Sequence, residues 1–214
     1  MSTSTPTAQS VHASLVLHPE AQTLLFTDAR TANAFADEPV SDEQLHAIFA
    51  LSKWPPTMAN TNPLRWLVVR SPAAKERLGP LMSEGNREKT LTAPATVVLA
   101  ADTDFHDKIP VLLPYKPELR DAFAGDDDEA RARREGSARN NAWLQAGYFI
   151  LAVRAAGLAA GPMLGFDAAG IDAEFFAGTT WRSILTVNVG KPALEGAWFD
   201  RLPRLPFEDV VREA

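Results

Sequence analysis

There is no cysteine anywhere in the 214 residues. That absence excludes a disulfide scaffold, a thiolate zinc site, an iron–sulfur cluster and a cysteine nucleophile. Histidine is scarce: His12, His18, His46 and His106 are scattered, with no pair at metal-ligand spacing. No metal is expected. Long apolar runs are missing too, and a stretch such as Ala95–Ala101 falls far short of the roughly 20 residues a membrane helix needs. Basic charge is in the minority, with 21 Lys and Arg against 27 Asp and Glu and a net charge of -6. An acidic chain has no global attraction for nucleic acid or an anionic membrane, so neither is an expected partner. The Ser/Thr-rich start lacks the positive and apolar regions of a secretory signal and the arginines of a transit peptide. The expectation is a cytoplasmic protein with a flexible tail over residues 1–18 and one domain over residues 19–214.

The remaining composition, 46% apolar and 22% charged, is that of an ordinary globular chain. Helix is expected from about Pro19 to Asp28 and again from Ser41, where Ser41-Asp42-Glu43-Gln44 has the form of a capping box. Trp54-Pro55-Pro56 must end that second helix. Arg65–Arg70 reads as a strand, and Ser71-Pro72 as the start of a helix reaching about Met82. The apolar run Thr96–Ala101 reads as a central strand. Asp102–Asp128, with Pro110, Pro114 and Pro117, reads as an excursion or lid rather than core.

A long helix follows, with acidic residues Asp126–Glu129 at its start and Gly157 just past its end. Gly136 leaves open whether it is one helix or two. Asp167 is placed to cap a short helix through Phe175, and Ile184–Val189 is a further strand. Helices outweigh strands without a βαβ repeat, so the expected class is α+β, with a mixed central sheet among helices.

Four segments hold unusual polar or flexible residues: Ala29–Asn33, Pro56–Pro63, Glu84–Lys89 and Gly161–Phe166. Alone, each fits a turn or a cap. In order along the chain they resemble the FMN-dependent nitroreductase family. Arg30-Thr31-Ala32-Asn33-Ala34-Phe35 is similar to its Arg-Ser-x-basic-x-Phe opening. Pro56-Thr57-Met58-Ala59-Asn60-Thr61-Asn62-Pro63 is similar to its Pro-Ser-x-x-Asn-x-Gln-Pro loop. Asn86 and Lys89 match its Asn-x-x-Lys, and Gly161–Asp167 its Pro-x-x-Gly-Phe-Asp loop. Arg201–Pro206 resembles its C-terminal Arg-Leu-Pro segment.

Longer stretches are similar to the malonic semialdehyde reductase branch, among them Ser83–Arg87, Gly161–Asp167, Asp172–Phe176 and Leu202–Leu205. There are departures from the wider family: Asn33 stands for its basic residue, Asn62 for Gln, Leu64 for Trp and Leu164 for Glu.

The resemblance implies an FMN site and NADPH or NADH as hydride donor. Arg30, Thr31 and Arg204, helped by Arg201, are the expected phosphate ligands, since guanidinium forks suit a dianion. Asn33, Asn86 and Lys89 are expected at the flavin's pyrimidine edge. Gly165 would bring a backbone N–H to N5, with Pro162 and Leu164 over one ring face. Pro56, Thr57 and Asn60 would reach a flavin held mainly by the other chain of a homodimer. The long helix would supply the dimer contact through Trp143, Phe149 and Ile150. No side chain is assigned as a certain catalytic group, because the flavin N5 carries the hydride. Arg65 or Arg87 would steer a substrate carboxylate. The implied reaction turns malonic semialdehyde (3-oxopropanoate) into 3-hydroxypropanoate during pyrimidine breakdown. A general nitro- or quinone reductase and a non-catalytic flavin-storage or flavin-sensing protein are the alternatives.

Overall fold

The computed structural model describes residues 15–214. Most of the expected tail, residues 1–14, lies outside the described residues. The chain begins with α1 (Pro19–Gln22), which continues as a π-helical turn over Thr23–Thr27. Next comes α2 (Asp42–Ser52), started by the expected capping box: Ser41 Oγ accepts from the Gln44 N–H, and Gln44 Oε1 from the Ser41 N–H. Then follow β1 (Leu64–Val69), α3 (Pro72–Leu78), capped by Ser71, and α4 (Glu84–Thr92). After β2 (Ala95–Asp102) the chain makes short turns around α5 (Ile109–Leu112). The long α6 (Asp128–Ala155), β3 (Ala159–Met163), α7 (Ala168–Phe175), β4 (Trp181–Gly190) and α8 (Phe207–Val210) complete it.

The four strands lie in the order β1-β2-β4-β3, and every neighbouring pair is antiparallel. The α+β class therefore stands, but the sheet is antiparallel among the described residues rather than mixed. Strand β2 is buried along its whole length. Val97, Leu99 and Ala101 pack into the cluster with Ala138, Ala142, Ala146, Phe149 and Val153 of α6. Val98 and Ala100 join the other face with Leu78 of α3 and Ile171 of α7. A strand covered on both sides has to be apolar at every position, which is why Thr96–Ala101 reads as one unbroken run.

Helix α6 runs through Gly136 without a break, started by Asp127, whose carboxylate accepts from the Ala130 N–H. Gly157 follows with φ +74°, the left-handed value a helix stop favours. Two expectations change here. The excursion after β2 is not merely a lid, since Phe105, Ile109 and Leu113 are buried in the main core. In α6, Phe149 faces that core completely and Ile150 packs against it. Trp143 does point outward, at 39% exposure, and its apolar companions there are Leu144 and Tyr148, at 54% and 43%.

Candidate functional site

Three of the four singled-out segments meet beside β3, at one edge of the sheet. The Ala32 N–H donates to the Ala160 carbonyl, laying the Arg30–Asn33 segment along that strand. The approach requires glycine, because a Cβ on Gly161 would lie 2.6 Å from the Ala32 carbonyl oxygen. The first half of Gly161–Phe166 is thus strand, not loop, and Pro162 is tolerated because β3 is an edge strand.

Helix α4 presents its expected pair to the same place. Asn86 Nδ2 donates to the Gly165 carbonyl at 3.1 Å, and Lys89 Nζ lies 3.5 Å from Asn33 Oδ1. Gly165 is pinned at its carbonyl by the Ser83 N–H as well. Its own N–H has no hydrogen-bond partner among the described residues. The Asn86 side-chain oxygen is likewise left as an acceptor. Leu164 is 67% exposed beside them, an apolar side chain with nothing covering it.

Two residues that sequence reasoning passed over hold α4 in place. Asn188, buried in β4, donates to the Lys89 carbonyl and pairs with Thr96. A lone amide inside an apolar strand was the signal available. Lys75, buried on α3, gives its ammonium to the carbonyls of Thr90, Leu91 and Ala93 at the end of α4. Burial pushes its pKa down, and a cation at a helix C-terminus completes that helix electrostatically.

Next to this cluster a cavity of about 220 Å³ is lined by Arg30, Thr31, Asn33, Arg201 and Arg204, with Asp200 and Phe199. Arg30 Nη1 reaches the Phe199 carbonyl, and its guanidinium lies 5.4 Å from the centre of the Trp198 ring. Arg201 donates to the Thr27 and Ala29 carbonyls, and Arg204 to those of Leu202 and Pro203. Among the described residues none of these three arginines has a carboxylate partner. Three guanidiniums that bond to carbonyls and, among the described residues, to no carboxylate suit an incoming dianion.

The fourth segment lies elsewhere. The Pro56–Asn62 loop precedes β1, the opposite edge of the sheet, three strand spacings or about 14 Å across. Its backbone is unusual: Ala59, Asn60 and Asn62 all have positive φ, at 48°, 54° and 43°. It is tied down by Asn141, whose side chain accepts from the Met58 N–H at 2.7 Å, and by Asn60 donating to the Leu112 carbonyl. Thr57 Oγ1 accepts from the Asn62 N–H. Arg65 stands beside this loop, 2.7 Å from Asp102. Arg87 points away, donating to the Gly79 carbonyl.

Among the described residues no group of three or more His, Asp or Glu is placed to hold a metal, and no helix is long and apolar enough to cross a membrane.

Comparison with known proteins adds a family and a fold. The profile described as the nitroreductase family matches residues 27–191. A Streptomyces griseus protein named as an NADH dehydrogenase/NAD(P)H nitroreductase is 54% identical over 198 residues, 92% of this chain and 98% of its own. A Streptomyces coelicolor protein of the same name is 56% identical over 192 residues, covering 90% and 93%. In fold, the chain is similar to a nitroreductase from Exiguobacterium sibiricum solved in complex with FMN. The TM-score is 0.77 at 19% identity, over 90% of this chain and 96% of that one. A Streptococcus pneumoniae nitroreductase family protein superposes with TM-score 0.76 at 22% identity, over 91% and 98%.

Proposed function

This chain belongs to the nitroreductase family, and we propose that it is an FMN-dependent NAD(P)H oxidoreductase that reduces malonic semialdehyde to 3-hydroxypropanoate in pyrimidine breakdown. The observation that carries the flavin site is the convergence of Asn33, Asn86, Lys89 and the unpartnered Gly165 N–H beside three carboxylate-free arginines. The residues present fit FMN at both ends: cations for a phosphate, and amide and ammonium groups for a ring edge bearing carbonyls.

The chemistry the flavin supplies when bound is hydride transfer from NAD(P)H to the acceptor. The chain's own groups bind and orient. Arg30, Arg204, Thr31 and Arg201 would hold the phosphate. Asn33 and Asn86 would fix the pyrimidine edge, and Lys89 would place positive charge where reduction adds negative charge. Gly165 would offer its N–H to N5, and Pro162 and Leu164 would cover one face of the ring. No side chain is assigned as an acid, since the aldehyde oxygen can take its proton from solvent.

The working unit is a homodimer. The Pro56, Thr57 and Asn60 loop sits at the far sheet edge from its own chain's cluster, which supports a role for it at the partner's flavin. The substrate assignment rests on the long stretches similar to the malonic semialdehyde reductase branch. Its test is kcat/KM for malonic semialdehyde against a nitroaromatic, with NADH and NADPH as donors. Preference for the nitroaromatic by about tenfold, worth about 1.4 kcal/mol in the barrier, would leave a general nitroreductase.

A further inference from the structure

A second cavity, of about 490 Å³, opens between the end of α2, the Pro56–Asn62 loop, the start of β1 and α5. Its charge runs against that of the molecule. Three basic residues line it, Lys53, Arg65 and Lys108, and no carboxylate does, in a chain of net charge -6. Arg65 is already neutralised: Asp102 lies 2.7 Å away, and its other nitrogen serves the Asn62 and Leu64 carbonyls. Lys53 and Lys108 are not. Neither has an ion-pair partner among the described residues. The Lys53 ammonium rests over aromatic rings instead, 4.9 Å from the centre of Trp54 and 5.9 Å from that of Phe49. Phe49, Trp54 and Trp66 form the apolar wall.

We infer that this cavity is an acceptor site for organic carboxylates, with Lys53 and Lys108 holding the acid group and the aromatic wall taking the body of the molecule. The inference rests on the reductase reading above, because Asn60, which lines the cavity, belongs to the loop assigned to the partner's flavin. It moves the role of substrate cation from Arg65 to the two lysines. A paired guanidinium has little charge left to offer, whereas an unpaired ammonium beside an apolar wall gains a counter-ion when the acid arrives. The space also exceeds what a three-carbon acid fills, so longer and aromatic acids are admitted. Two features separate such a site from a bare surface patch: the cations share one concavity, and acidic residues are excluded from it.

The test measures binding, not turnover. The FMN-loaded protein is titrated with 3-phenylpropanoate and with its neutral amide, followed by calorimetry and by tryptophan fluorescence. The acid should bind at least about tenfold more tightly than the amide. The double variant Lys53→Met, Lys108→Met should lose that preference while keeping its flavin content and absorption spectrum. Equal binding of acid and amide by the unaltered protein would overturn the inference, as would a double variant that still prefers the acid. A double variant with an unchanged acid preference but a raised KM for NADPH would assign the lysines to the donor's phosphates, and also overturns it. Failure to reduce malonic semialdehyde, with the acid preference intact, would sink the reductase reading alone.

Discussion

The side-chain amide of Asn86 and the backbone N–H of Ser83 share one acceptor, the Gly165 carbonyl, at 3.1 and 3.0 Å. The helix carrying Asn86 and the loop carrying Gly165 are thereby locked to each other before any ligand arrives. The lock depends on glycine: a Cβ there would lie 2.5 Å from Ser83 Oγ and 2.7 Å from Asn86 Nδ2. Gly165→Ala should push the Asn86 amide and the Ser83 hydroxyl aside, breaking the Asn86 bond, at a cost of about 1–3 kcal/mol. Dialysis followed by flavin absorbance should show FMN retained about ten to a hundred times less tightly. Unchanged retention would detach this contact from the flavin site.

Among the described residues Arg204 donates only to the neighbouring Leu202 and Pro203 carbonyls, which leaves it able to turn towards an anion. Arg204→Ala should weaken FMN by about 1.5–3 kcal/mol, the range for a hydrogen bond to a charged group. Arg131, paired with Asp128 on the exposed side of α6, serves as the control. Equal FMN affinities for the Arg204→Ala and Arg131→Ala proteins would remove Arg204 from the phosphate site.

His106 is buried beside Asp104, Asp107, Arg120 and Arg134, with no hydrogen-bond partner for its Nδ1 among the described residues. Burial pushes its pKa below the ordinary value of about 6.5. A depressed histidine is neutral in the folded chain but takes up a proton in the unfolded one. Stability therefore falls as the pH drops through about 6.5 towards the folded-state value. Urea unfolding at pH 8 and pH 5.5 should show a larger loss in the unaltered protein than in His106→Phe. Identical losses would mean that other groups set the acid limit.

Leu144 and Tyr148 are one turn apart on the outward side of α6, with Trp143 beside Leu144, and all three are exposed. Such a patch fits the proposed dimer contact. Leu144→Asp should shift sedimentation towards monomer and release FMN on dilution. A dimer of undiminished stability would place the interface on another face.

Local signals were read from the sequence best. The caps at Ser41, Ser71 and Asp167 and the buried strand β2 stand where side-chain chemistry puts them. Strand direction was not legible, because alternation of apolar residues is the same in parallel and antiparallel pairs. Prolines at 110, 114 and 117 mark an irregular excursion but say nothing of depth, so burial of Phe105 and Ile109 came from the fold alone. Gly136 costs about 1 kcal/mol against alanine in a helix. The core contacts of Ala138 and Ala142 just beyond it outweigh that. At the candidate site, ordered motifs point to the segments around Arg30, Asn86 and Gly165, which the fold brings together. Lys53 and Lys108 lie 55 positions apart in unremarkable contexts, and only the tertiary fold brings them to one cavity.

The separation of the two clusters across the sheet has a genetic counterpart. A chain crippled at Arg204 still carries a sound Pro56–Asn60 loop, and a chain crippled in that loop still carries sound arginines. In the proposed dimer each would be inactive with copies of itself, since every site would contain the same defect. Co-expressed, the two defective alleles would assemble mixed dimers in which one site draws both its halves from undamaged segments. For the proposed dimer, interallelic complementation would thus follow from the order of the strands.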